Sequence, residues 1–147
     1  MMPDRRNDMK TTTVMNDFCI NSGTVVLRDV SLSLPNNELM RVRRDKRRKL
    51  DGEGHLQLST DSHHTYWGNV YADKRSTVSV SVDPNVTWEG ALNPNKRCRK
   101  VTAVINGTWN MTQDSYIDRL VIGKDAVINT NGHKLKYHSL DNQGMIN

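Results

Sequence analysis

Three tryptophans at equal spacing constrain the fold of this chain more than any other feature. Trp67, Trp88 and Trp109 are its only tryptophans, and each follows the previous one by 21 residues. The same offset aligns the residues around them: Tyr66-Trp67-Gly68 with Thr87-Trp88-Glu89-Gly90 and Thr108-Trp109-Asn110, Val80 with Val101, and Val82 with Ala103. A recurrence of about 20 residues is typical of solenoids, in which each repeat stacks on the next. We therefore interpret the tryptophans as structural anchors of a repeat, one in each coil.

Apolar residues at every second position predict the secondary structure within each repeat. One parity holds Val78, Val80, Val82, Val86, Trp88, Gly90 and Leu92, and after the 21-residue step the other holds Val101, Ala103, Ile105, Trp109 and Met111. Alternation of this kind indicates β-strands with one buried face. We predict an all-β parallel β-helix of about four to five coils. A β-sandwich is the alternative, because short strands separated by regular turns give a similar pattern.

The stretch around Trp109 resembles a segment of autotransporter passenger domains of the pertactin and AIDA-like kind. In that family a Trp-Asn segment with Thr, Asp and Ser precedes an apolar strand and a run of the form Val-Ile-Asn-x-x-Gly. The matching residues here lie at 108–115, 117, 120–122 and 126–135. Trp67-Gly68 and Trp88-Glu89-Gly90 resemble the preceding coils of such passengers, where Trp-x-Gly motifs recur. The likeness extends from about Leu56 to Leu140.

The resemblance implies a right-handed β-helix that is exported across a bacterial envelope as a cell-surface stalk or adhesin. Its implied partners are the rest of the passenger, an outer-membrane β-barrel translocator, a second copy of itself and a host surface. The parent protein would be at the cell surface, in the outer membrane or secreted. Residues 1–17 are polar and contain no readable signal peptide. We therefore expect this chain to be a passenger fragment that would remain cytoplasmic if it were made alone.

The chain divides into three parts by composition. Residues 1–21 form a polar N-terminal segment, residues 22–54 an upstream strand with a basic loop, and residues 55–147 the β-helix repeats. Hydrophobic residues make up 35% of the chain and aromatic residues 5%, with a single Phe. Such a lean composition suits a thin solenoid, because each coil needs only a few inward-facing side chains.

A basic block interrupts the upstream part. Residues 41–49 carry a formal charge of +6, and the whole chain carries +5. The block is a possible polyanion contact through Arg41, Arg43, Arg44, Arg47 and Arg48, and a small cytoplasmic nucleic-acid-binding protein is therefore the alternative function. We favour a solvated loop between coils, because like charges repel and no aromatic residue is interleaved with them. A smaller cluster at 96–100 falls where a loop is expected, and no specific nucleic-acid partner is predicted.

Catalytic and cofactor motifs are absent from the sequence. There is no G-x-S-x-G elbow, no phosphate-binding glycine loop and no HExxH, and we predict no enzymatic activity, no cofactor and no metal site. His63 and His64 would point to opposite faces of a strand and could not chelate one ion together. Cys19 and Cys98 show no metal-binding spacing, and free thiols are the favoured interpretation.

Overall fold

The fold is a coil of short β-strands. The computed structural model describes residues 18–32, 34 and 36–147, so the N-terminal segment predicted at 1–21 lies outside it except for its last residues. Only strands, and no helix, occur among the described residues. The strands are β1 (Phe18–Ile20), β2 (Ser22–Arg28), β3 (Glu38–Val42), β4 (Gly52–Ser59), β5 (His64–Trp67), β6 (Asn69–Ala72), β7 (Ser76–Val82), β8 (Val86–Gly90), β9 (Lys100–Ile105), β10 (Thr108–Met111), β11 (Ser115–Ile122), β12 (Val127–Asn129), β13 (Leu135–Asn142) and β14 (Met145–Ile146).

The described strands form three sheets, and every strand pairing is parallel. Sheet I has the order β1-β3-β6, sheet II the order β2-β4-β7-β9-β11-β13, and sheet III the order β5-β8-β10-β12-β14. The chain passes from sheet I to sheet II to sheet III and then starts the next turn, so successive turns pair through the same sheets. This topology confirms the parallel β-helix, and it is consistent with the right-handed coil that we expected. A β-sandwich is excluded, because its neighbouring strands pair antiparallel.

The solenoid has about six turns, since sheet II contains one strand from each turn. This exceeds the four to five coils predicted, because the upstream part already coils. Strand β2 pairs with β4 over its whole length, from Ser22 opposite Glu53 to Arg28 opposite Ser59. The boundary predicted between residues 54 and 55 is therefore wrong, since it falls inside β4.

The alternation read from the sequence places apolar side chains inside the coil. In β7 the residues at even positions from Ser76 to Val82 are buried, and those between them are partly exposed. Parallel pairing stacks the inward residues of successive strands into columns that run along the axis. The two longest columns in sheet II are Val25, Leu56, Val80, Ala103, Leu120 and Leu140, and Leu27, Leu58, Val82, Ile105 and Ile122.

The length of a turn is less regular than the tryptophan spacing predicted. Val80 pairs with Ala103 and not with Val101, so the offset between β7 and β9 is 23 residues. The expected pairings of Val80 with Val101 and of Val82 with Ala103 are therefore wrong. The cause is the corner between sheets II and III. Five positions separate Val82 from Thr87, whereas three separate their partners Ile105 and Thr108, and this restores the 21-residue offset in sheet III.

Two of the three tryptophans form the predicted column, and the third does not. Trp88 pairs with Trp109, and both side chains are fully buried. The residue of the preceding turn that pairs with Trp88 is Tyr66, which is 2% exposed. Trp67 pairs with Glu89, points outward and is 60% exposed. Trp67 is therefore not a repeat anchor, because the offset at this step is 22 residues and shifts it to the outer face.

Candidate anion-binding corner

Three segments of the chain are stacked at the corner where sheet I ends and sheet II begins. They are residues 43–51, 73–75 and 94–100, which belong to three successive turns. They lie next to one another because the strands on both sides of them are in register. Val42 pairs with Ala72 in sheet I, and strands β4, β7 and β9 are neighbours in sheet II.

We call these three segments the basic corner, because most of the positive charge of the chain lies there. They contain twelve basic residues: Arg43, Arg44, Lys46, Arg47, Arg48, Lys49, Lys74, Arg75, Lys96, Arg97, Arg99 and Lys100. Asp45, Asp51 and Asp73 are the only acidic residues in them, so the formal charge is +9 on a chain whose total is +5. The rest of the chain is therefore net acidic.

Asp51 ties the three turns of the corner together. Its carboxylate lies 3.5 Å from Nε of Arg44, 3.3 Å from Nε of Arg75 and 3.4 Å from a terminal nitrogen of Arg99. One carboxylate cannot neutralise three guanidinium groups. Asp51 therefore fixes the positions of these arginines and leaves most of their charge uncompensated.

Asp73 holds the base of the corner. It accepts hydrogen bonds from the backbone N–H of Arg44 at 2.8 Å, from the backbone N–H of Arg75 at 3.1 Å and from the hydroxyl of Ser76 at 2.6 Å. Partial burial raises the pKa of Asp73, but these hydrogen bonds outweigh it, and the net pKa lies below the usual value for aspartate. The carboxylate is therefore ionised at neutral pH and anchors two of the three segments.

The basic block at 43–51 is a closed turn with its own hydrogen bonds. Asp45 and Leu50 form an antiparallel bridge, in which each backbone N–H donates to the carbonyl of the other residue. The Asp45 carboxylate also accepts the backbone N–H groups of Arg47 and Arg48, both at 3.1 Å. These bonds give the block, which we expected to be a plain solvated loop, a defined backbone that presents exposed basic side chains.

A cleft of about 450 Å³ opens between the three segments. Five basic side chains and one carboxylate line it: Arg44, Lys46, Lys74, Arg75, Arg97 and Asp73. Within the part of the chain that the structure describes, Lys46, Lys74 and Arg97 form no ion pair. A second cleft, of about 500 Å³, lies beside it on the side of Arg41 and Arg43.

The arginines predicted as polyanion contacts are not equivalent. Arg44 lines both clefts, and Arg43 lines the second. Arg41 lies in β3 on the outer face of sheet I, where it is paired with Glu38 and placed 4.7 Å over the ring of Tyr71. The hydrogen bond with Glu38 raises the pKa of Arg41. Arg47 and Arg48 are exposed and line neither cleft.

The sequence interpretation missed the other half of this site. Lys74 and Arg75 stood out in no motif, and the cluster at 96–100 was interpreted only as a loop. Asp51 and Arg75 hold equivalent positions, since each precedes one member of the Gly52–Ser76 pair. Aligning the sequence on this 24-residue offset would have brought the basic segments together, but the tryptophans indicated 21.

The outer face of sheet III carries a ladder of polar side chains. The Asn110 side-chain amide donates to the carboxylate of Glu89, the Asn129 amide donates to Asn110 at 2.7 Å, and the Asn147 amide donates to Asn129 at 2.9 Å. Exposed Trp67 begins the same row, since it pairs with Glu89. The amides are satisfied by one another, so the ladder strengthens the stacking of the turns.

The cysteines and histidines do not assemble into a reactive or metal-binding group. Cys19 is exposed, Cys98 is half-buried, and both thiols are free. Burial raises the pKa of Cys98 to about 11, and its thiol donates to the carbonyl oxygens of Ser76 and Lys100. Among the described residues, no three His, Cys, Asp or Glu side chains are placed to hold a metal ion together.

Comparisons with known protein families, with curated protein sequences and with solved structures returned no match. In the part of the chain that the structure describes, no helix is long and apolar enough to cross a membrane. The class of protein that these observations define is a parallel β-helix with a strongly basic corner.

Proposed function

We propose that this chain is a non-enzymatic β-helix segment that acts as a surface stalk or adhesin, as the resemblance to autotransporter passengers suggests. The observation that supports this most directly is the uninterrupted stack of about six parallel turns. Its interior is filled by apolar columns, and its outward positions carry mainly Thr, Ser and Asn. A rigid rod with a polar surface is suited to holding and presenting surfaces rather than to catalysis.

The partners and the location follow from this proposal. The chain would be joined to further turns of a longer passenger and would be exported with an outer-membrane β-barrel translocator. It would contact a host surface or a second copy of itself through its outer faces. Outside the cytoplasm the solenoid would retain its structure without disulfide bonds, because its stability is close to a sum over stacked turns.

Surface display is the direct test. The 147-residue chain would be placed between a bacterial export signal and an outer-membrane β-barrel, and intact cells would be treated with protease. We expect a protease-resistant fragment at the cell surface. A variant with Trp88→Ala and Trp109→Ala is the control, and it should be degraded. Retention of the unaltered chain in the periplasm, or its complete digestion at the surface, would contradict the proposal.

The genome supplies an independent test of the same proposal. The DNA on both sides of the coding sequence would be translated in all frames. An outer-membrane β-barrel encoded directly downstream supports a passenger, whereas a complete operon of cytoplasmic nucleic-acid enzymes around the gene argues for the alternative.

The alternative function is nucleic-acid binding through the basic block, and the basic corner is the observation that favours it. Its charge of +9 is the kind of surface that attracts phosphate backbones. The two aromatic rings that border the corner are each covered by a cation, Tyr71 by Arg41 at 4.7 Å and Tyr116 by Lys96 at 4.4 Å. Bases therefore find no free stacking surface there, and binding to DNA would be insensitive to sequence and lost in moderate salt.

A further inference from the structure

We propose that the cleft in the basic corner binds a compact polyanion, a small molecule that carries several phosphate or sulfate groups. This site is separate from the stalk or adhesin function, and its failure would leave that proposal intact. The cleft measures about 450 Å³, which lies within the range of about 300–1,000 Å³ of small-molecule sites.

The charge of the cleft sets the charge of its ligand. Five basic side chains and one carboxylate line it, which gives a formal charge of +4. A single inorganic phosphate or sulfate would leave most of this charge uncompensated. A molecule with about four negative charges would complement it, because electrostatic complementarity requires opposite potentials of similar strength.

The arrangement of the cations is fixed before any ligand arrives. Arg44 and Arg75 are held by Asp51, and the backbone of both residues is held by Asp73. The Nε atom of Arg44 is buried and has no hydrogen-bond acceptor among the described residues, since the Asp51 oxygen 3.5 Å away is aligned only for an ion pair. An oxyanion in the cleft would supply acceptors to guanidinium groups that are already in place, and preorganisation of this kind lowers the cost of binding.

The size of the corner favours a short ligand over a long polymer. The cations of the cleft come from three successive turns, and neighbouring turns are separated by about 4.8 Å. They therefore span only about 10 Å along the axis. A nucleic-acid duplex would contact the exposed tip at Arg47 and Lys49 as strongly as the cleft, whereas a compact ligand would contact the cleft alone.

The test compares two variants with the same loss of charge. Lys74→Gln with Arg97→Gln removes two cations from the cleft, and Arg47→Gln with Lys49→Gln removes two from the tip outside it. All four side chains are exposed, so both variants should fold, and thermal melting would verify this. Binding of tripolyphosphate to the full chain would be measured by titration calorimetry at physiological salt. Inorganic phosphate, inorganic sulfate, a sulfated disaccharide and a DNA duplex would be titrated in parallel.

We expect tripolyphosphate to bind the unaltered chain more tightly than inorganic phosphate or the duplex. The cleft variant should bind it at least about tenfold more weakly, and the tip variant less than about threefold more weakly. Tighter binding of the sulfated disaccharide than of tripolyphosphate would identify sulfate as the natural group and support the same site. Equal losses in the two variants, preference for the duplex, or no binding of any polyanion would overturn the proposal.

Discussion

Trp88 and Trp109 stack on successive turns, with ring centroids 4.9 Å apart and ring planes inclined by 13°. The separation equals the spacing of neighbouring strands, because parallel in-register pairing places identical side chains directly over one another. The indole N–H of Trp88 donates to the Gly68 carbonyl at 2.8 Å, and that of Trp109 donates to the Gly90 carbonyl at 2.9 Å. Each tryptophan therefore bonds to the turn before its own, and this explains the glycines that follow Trp67 and Trp88 in the sequence.

Replacing Trp109 should destabilise the solenoid in two separable steps. Trp109→Phe keeps an aromatic ring in the column but leaves the buried Gly90 carbonyl without its donor, which costs about 1–3 kcal/mol. Trp109→Ala also removes the buried ring, and the total should rise to about 3–5 kcal/mol. Urea unfolding would measure both free energies. Trp67→Phe is the control and should change stability by less than about 0.5 kcal/mol. Equal effects at Trp67 and Trp109 would disprove the assignment of Trp109 to the buried column.

Gly90 should tolerate no side chain. A Cβ atom there would lie 2.1 Å from the Gly68 carbonyl oxygen and 2.6 Å from the indole nitrogen of Trp88. Both contacts involve atoms fixed by the same hydrogen bond, so Gly90→Ala must push two turns apart, at a cost of about 3 kcal/mol.

The same substitution at Gly132 provides the comparison. Gly132 has a φ of +84°, and no atom lies within 4 Å of the position that an added methyl group would occupy. Gly132→Ala therefore meets backbone strain but no clash, and it should cost about 1–2 kcal/mol. Thermal melting of both variants would test the difference, and a smaller loss at Gly90 than at Gly132 would show that the two turns can separate freely.

The alternation of apolar residues was sufficient to predict the strands, the buried faces and the class of fold. It was sufficient because each strand is short and has one face inside, so a period of two residues is imposed on every turn. The tryptophans predicted the stacking of Trp88 on Trp109 for the same reason. They failed at Trp67, where a neighbouring aromatic residue, Tyr66, occupies the inward position and the turn is one residue longer.

The basic corner could not be predicted from the tryptophan spacing. The turns differ in length mainly at their corners, where no buried face restricts insertion. The offsets in sheet II are 24 residues from Leu56 to Val80 and 17 from Ala103 to Leu120. A single period therefore misaligns the charged segments, and only the strand pairing shows that residues 43–51 and 94–100 flank Lys74 and Arg75.

The two cysteines should differ strongly in reactivity. The thiolate is the nucleophile, and burial raises the pKa of Cys98 to about 11, so this thiol stays protonated at a pH of about 8. Cys19 is exposed. Single Cys19→Ser and Cys98→Ser variants would each be treated at that pH with a thiol-specific disulfide reagent. The variant that retains Cys19 should react at least about tenfold faster, and the other should accelerate as the pH rises toward the pKa of Cys98. Equal rates in the two variants would mean that the segment around Cys98 opens readily.

Asp73 should make the corner sensitive to acid. Its folded-state pKa is lowered, so the carboxylate contributes stability that is complete above the unfolded pKa and is lost as the pH falls through the folded value. Asp73→Asn should therefore cost about 1–3 kcal/mol at neutral pH. The difference from the unaltered chain should narrow below a pH of about 4.

Urea unfolding at neutral pH and at a pH of about 3.5 would test this, with Asp125→Asn as the control. Asp125 is exposed and lies in the short segment between β11 and β12. The control should match the unaltered chain at both pH values. An Asp73 variant whose deficit is the same at both pH values would show that the lost stability does not come from the ionised carboxylate.

Strand β13 should cause the 147-residue chain to associate. It lies at the edge of sheet II, and Leu140 extends the inward column above Leu120 but is 38% exposed. An edge strand with free backbone groups and an open apolar interior is a template for another strand. Light scattering should therefore show a mass that grows with protein concentration. Leu140→Lys should suppress this growth, because a charge at the open end opposes pairing. Val104→Lys, on the outer face of β9 within the sheet, is the matched control and should leave it unchanged. A chain that remains monomeric at every concentration would show that the end of the solenoid is closed to a second copy.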